Sequence, residues 1–146
     1  MSIEAKVSAE RRLQMIAEAA YFRAEERGFH GGDPVTDWVD AEAEVDTRIR
    51  RMEYEHLLER VETCVAAATK SFDALKRKVS GATAGARAEW RDDVEKLGKL
   101  RDSLRDKVQE LRADGERAAQ NVRRQAERVW DEIANVLQRV TARTSH

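Results

Sequence analysis

The sequence predicts an all-α protein: an N-terminal helix-turn-helix corner followed by a long antiparallel coiled-coil helical hairpin. Composition points there first, because 38% of the 146 residues are charged, 5% are aromatic and only one is proline. That mix suits long solvated helices better than a thick globular core. Apolar side chains also recur three and four residues apart along most of the chain, and no segment alternates as a strand does. Two glycine-bearing stretches, one after Arg27 and one at Ser80–Gly85, supply the turns.

The first segment, residues 9–27, sets Leu13, Ile16, Ala17, Ala20, Tyr21 and Ala24 at helical spacing. Ser8 stands where a helix N-cap belongs, and Gly28 where a C-terminal glycine belongs. Gly28, Gly31 and Gly32 then give the chain access to positive φ. Pro34 fits the first turn of the next helix with Asp33 as its cap, or Thr36 caps slightly later. Asp37, Asp40 and Glu42 put negative charge at that helix start. Asp37 is expected to cap or to pair with Arg27, and Trp38 to bury its indole against Ala17, Ala20 and Tyr21. Tyr21, Gly28, Asp37 and Trp38 thus form a structural corner within a small module over residues 1–48.

Residues 49–146 read as the arms of the hairpin, with the turn near 80–86. From Leu58 the apolar positions Val61, Val65, Ala68, Phe72, Leu75 and Val79 alternate by three and four, a heptad seam. Beyond the turn the seam resumes through Trp90, Val94, Leu97, Leu104, Val108, Leu111, Ala118 and Val122, with Arg101 and Gly115 as weak members. Two steps of four between Ala118 and Ala126 make a stutter. An Asp-Gly pair at Asp114 is also a turn signal, but the seam crosses it in register, which favours one continuous third helix. On that reading the arms are roughly 65 Å and 85 Å long. The end of the longer arm then stands uncovered by the second helix, and its band of Val129, Trp130, Ile133, Val136, Leu137 and Val140 is expected to meet a second copy of the chain, with the first helix as the other source of cover.

"IAEAAYFRAEERG" and the following "DWVDAEAEV" resemble a short bacterial module catalogued among domains of unknown function as family 2934. The resemblance rests on Ile16, Ala20, Tyr21, Glu25, Arg27, Gly28, Asp37, Trp38, Ala41 and Glu42, within residues 9–48. It implies a helix–turn–helix pair and no established activity, and it does not extend to the arms.

No motif assigns chemistry. His30, Asp33, Asp37 and Asp40 are metal-ligand types, yet they lack the spacing of a zinc grid, and helix capping accounts for the aspartates. His56 falls among Glu53, Glu55 and Glu59 on an outer face. Cys64, the single cysteine, flanks the seam as a half-buried hydrophobe with no catalytic partner nearby. No catalytic, cofactor-binding or metal-binding residue is therefore assigned, and no enzyme activity is expected. One cysteine, no N-terminal apolar run and no apolar stretch long enough for a bilayer suggest a cytoplasmic protein. Net charge is −1, with 11 acids and 7 bases in residues 1–50. The leading expectation is a non-enzymatic, self-associating scaffold or adaptor. Two alternatives come from other classes. Arg117, Arg123, Arg124, Arg128, Arg139 and Arg143 would serve a nucleic-acid-associated protein, although acids interleave them. The tail band around Trp130 would serve a phasin-like coat on lipid or polymer granules.

Overall fold

The structure is a computed structural model that describes residues 6–144; the outermost ends of the two expected segments, residues 1–5 and 145–146, lie outside the described residues. It is all-α: α1 (Ala9–Glu26), α2 (Pro34–Ser80), α3 (Ala84–Asp114) and α4 (Ala119–Thr144), with a 3-10 turn at Gly115–Ala118. Two compact units divide within α2, one ending at His56 and the other beginning at Leu57.

Local chemistry sets the helix ends. The Ser8 hydroxyl accepts from the Arg11 N–H at 3.1 Å and starts α1. At its other end, the Gly28 N–H donates to the Glu25 carbonyl (2.8 Å) and the Phe29 N–H to the Ala24 carbonyl (2.9 Å). With Gly28 at φ 61, that pair of bonds is a Schellman closure. Asp33 begins α2 by accepting from the Val35 N–H at 3.1 Å, with Pro34 as the first helical residue. Thr83 caps α3 through the Ala86 N–H.

In the N-terminal unit, Met15 and Ile16 of α1 pack with Ala41, Val45 and Ile49 of α2, and Val7, Ala19 and Ala20 close the edges. Arg12 stitches the same two helices, from Nε to Asp46 Oδ1 (2.7 Å) and from Nη2 to Asp46 Oδ2 (3.0 Å) and Glu42 Oε1 (3.1 Å). These charge-assisted bonds raise the guanidinium pKa further and hold the Asp46 carboxyl below its ordinary value.

In the second unit, α3 runs antiparallel to α2. Arg112 pairs with Glu62 near one end, and further along the Arg101 guanidinium lies 4.6 Å from the centre of the Phe72 ring. Gly98 makes room for that ring: a Cβ there would stand 3.0 Å from Phe72 Cε2.

Two expectations need correction here. The third helix is not continuous. Gly115 takes φ 63 and ψ −139, a conformation essentially reserved for glycine, and α4 doubles back along α3. The band on Val129, Trp130, Ile133, Val136, Leu137 and Val140 is therefore not left uncovered. Ile133, Val136 and Val140 are buried, and Val129, Trp130 and Leu137 are half-buried, within the same chain. The physical reason is that an apolar period records which side chains need cover but not the direction in which the chain travels.

A related difference concerns α2. Its central buried positions Val61, Ala68 and Leu75 belong to the expected seam, but Leu57 and Cys64 are buried beside them, while Leu58, Val65 and Phe72 are half-buried on the opposite flank. A single facing helix covers one seam; a third helix widens the apolar face that can be buried.

Candidate interaction surface

The turn between α1 and α2 is polar on one side and aromatic on the other. Arg27, the last capping residue of α1, reaches over the glycines to Asp37 in the first turn of α2. Nη1 meets Oδ1 at 2.6 Å and Nη2 meets Oδ2 at 2.5 Å, a bidentate pair. The Asp37 side chain is buried, and Arg27 holds its carboxyl below the usual carboxylate range. Gly32 is what lets the guanidinium lie there: a Cβ at Gly32 would fall 2.7 Å from the Arg27 guanidinium carbon. Asp33 is occupied with the cap of α2. Among the described residues no three His, Cys, Asp or Glu side chains are placed to hold a metal ion.

On the aromatic side, Phe29 stands just past the closure with φ 62, a left-handed backbone that a bulky side chain seldom adopts. Its ring lies 5.6 Å from that of Tyr21, and Tyr21 meets Phe22 edge-on at 5.9 Å. All three remain well exposed, at 57% for Tyr21, 58% for Phe22 and 59% for Phe29. Val35, Val39 and Leu13 are exposed as well.

This corrects the expected packing of the corner. Trp38 is not buried; it keeps 39% of its surface, and Tyr21 points to solvent. Helix phase explains both. Tyr21 lies about 140° around α1 from Ile16, at 100° per residue. Trp38 sits about 60° around α2 from Ala41, at the edge of the buried stripe rather than on it. Gly28 and Asp37 do hold the corner, as terminator and as ion-pair partner. The exposed aromatic trio escaped sequence reasoning, although Phe22 and Phe29 beside Tyr21 are its visible trace.

Elsewhere, Cys64 is fully buried, and burial pushes its thiol pKa up. Two of the C-terminal arginines, Arg139 and Arg143, turn inward to Asp93. No described helix is long and apolar enough to cross a membrane.

A family model described as "Protein of unknown function (DUF2934)" matches residues 11–47, so the match covers α1 except its first two residues, the turn and the start of α2. The aromatic trio and the Arg27–Asp37 pair all fall inside it. No curated protein and no solved structure matches the chain.

Proposed function

We propose that this chain is a non-enzymatic, self-associating scaffold or adaptor, with the aromatic corner of its N-terminal module as the docking face. The observation that carries the reading is the Tyr21–Phe22–Phe29 cluster. Folding of the module rests on Met15, Ile16, Ala41, Val45 and Ile49 and leaves the three rings in water. Touching, exposed aromatic rings are the side chains that bind most strongly when a partner buries them. The left-handed backbone at Phe29 supports the same reading, since strain held at an exposed ring serves presentation rather than packing.

Charge supports a second copy as the occupant. Between Lys6 and His56 the chain carries 12 acids and 8 bases, whereas from Leu57 onward it carries 15 acids and 19 bases. Copies with an acidic head and a basic body attract one another, and the attraction is screened by salt. A single buried thiol fits a reducing cytoplasm.

Light scattering coupled to sizing tests this. At micromolar concentration and low salt the chain is expected above its 16.7 kDa monomer mass and to approach it as salt rises. Replacing Tyr21→Ser and Phe29→Ser together should remove the salt-sensitive association while helicity stays unchanged. A strict monomer at low salt throughout the range overturns the reading.

A further inference from the structure

We infer that α4 is an exchangeable arm: by opening at Gly115 it can leave its own unit and fill the same place in a second copy, giving a domain-swapped dimer that does not depend on the aromatic corner.

The hinge is one residue. Gly115 holds φ 63 and ψ −139, and its N–H closes back onto the Leu111 carbonyl. No atom lies within 4 Å of where a Cβ would stand at Gly115, so the demand for glycine there is conformational and not steric. A single 3-10 turn, Gly115–Ala118, completes the reversal.

The open form is also encoded. Leu104, Val108, Leu111, Gly115, Ala118 and Val122 follow one another by four, three, four, three and four residues. Straightened at Gly115, α3 and α4 become one helix whose heptad seam crosses the hinge in register, with the stutter at Ala118–Ala126 beyond it. Its far end, with Ile133, Val136 and Val140, is buried in the closed chain and would be bare in the open one. The surface shaped to cover it is the vacated place on another opened copy.

Exchange conserves the contacts that hold α4. Arg143 donates to Asp93 Oδ2 at 2.5 Å and to the Glu89 carbonyl at 3.1 Å, and Arg139 stands 3.6 Å from Asp93 Oδ1. In the exchanged dimer the same groups meet between copies. What changes is that two left-handed hinges become helix, set against the entropy of association. Closed and swapped forms therefore differ chiefly over Gly115–Ala118, where the reversal becomes helix.

Two experiments on the full chain decide it, both carrying Tyr21→Ser and Phe29→Ser so that the corner contributes nothing. Gly115→Ala disfavours the hinge conformation and favours helix at both junctions of the dimer. Light scattering should show a dimer, with a dissociation constant lowered at least about a hundredfold and helicity equal or higher. A monomer with lowered helicity overturns the inference. The second experiment pairs an Asp93→Arg chain with one carrying Arg139→Asp and Arg143→Asp. Each is mismatched when closed on itself, but when co-refolded both charge clamps are restored between copies. A one-to-one dimer that melts above either chain alone supports exchange; a mixture behaving as the sum of its parts overturns it. Success here with failure of the corner test, or the reverse, separates the two readings.

Discussion

Arg143, near the end of α4, donates from Nη1 to Asp93 Oδ2 at 2.5 Å, and the Asp93 side chain keeps only 8% of its surface. The pair fixes the returning end of α4 against the first turns of α3. Replacing Asp93→Ala removes the acceptor of two arginines at once. Because those arginines are about half exposed and can return to water, the loss should be modest, about 1 kcal/mol. Thermal melting checks this. Asp93→Asn, which keeps a hydrogen-bonding oxygen but no charge, should fall between wild type and Asp93→Ala at low salt and converge on wild type as salt rises.

The corner separates two effects of glycine. Gly31 and Gly32 both have positive φ, at 68 and 73, but only Gly32 has a neighbour in the way. Gly31→Ala should cost the left-handed penalty alone, about 1–2 kcal/mol. Gly32→Ala carries the same penalty and also displaces Arg27 from Asp37, so it should melt distinctly lower. Adding Arg27→Ala should narrow the gap between the two, because it removes the side chain with which the new methyl collides.

Acid should loosen the N-terminal module. Asp37 and Asp46 both titrate below their ordinary values when folded, chiefly through hydrogen bonds from Arg27 and Arg12. Depressed carboxylates bind fewer protons folded than unfolded. Their contribution is therefore complete above the unfolded carboxylate value and is lost as pH falls through and below it. Melting temperature against pH should be flat near neutrality and drop below about pH 4. With Asp37→Asn and Asp46→Asn the acid limb should flatten, and stability at neutral pH should be lower. An unchanged acid limb would show that other groups govern it.

How much of this was legible in the sequence depends on whether the signal was local. Ser8, Gly28, Asp33 and Pro34 act within a turn of themselves, and each sits at the helix boundary its chemistry suggested. Two readings failed because periodicity lacks the information they needed. Seam residues on either side of Gly115 keep their spacing whether the chain runs on or reverses, so the reversal at φ 63 was invisible to the count. Helix α1 has apolar residues on two faces, and spacing alone does not say whether Met15 and Ile16 or Leu13 and Tyr21 face α2. Burial chooses the first pair, and the second becomes surface.

Cys64 reports on the C-terminal unit without perturbing it. The thiol is fully buried and its pKa is raised by burial, so both accessibility and the thiolate fraction oppose reaction. Alkylation in native buffer should be at least about a hundredfold slower than in denaturant and should follow opening of the unit. Gly98→Val offers the matching perturbation: a branched side chain has no room beside the Phe72 ring between α2 and α3, where a Cβ alone would already stand 3.0 Å from it. It should speed alkylation of Cys64 while leaving the melting of the N-terminal module unaltered.

The α4 band supplies the sharpest contrast between a free surface and an internal one. If Ile133 faced solvent or a loosely held partner, Ile133→Asp would lower an oligomer mass and leave helicity intact. In the structure Ile133 is completely buried, whereas Leu137 is half-buried. An aspartate at Ile133 places an unpaired carboxylate among apolar side chains, and it must either take up a proton or force α4 off α3. Helicity should therefore fall together with stability, while Leu137→Asp should be milder. Ile133→Ala is the gentler version, removing methylenes without adding charge, and should cost about 2–5 kcal/mol. Circular dichroism melts of the three variants give the order: Ile133→Asp lowest, with Leu137→Asp keeping most of its helix. Equal helicity in Ile133→Asp and wild type would mean that α4 is not packed against its own chain.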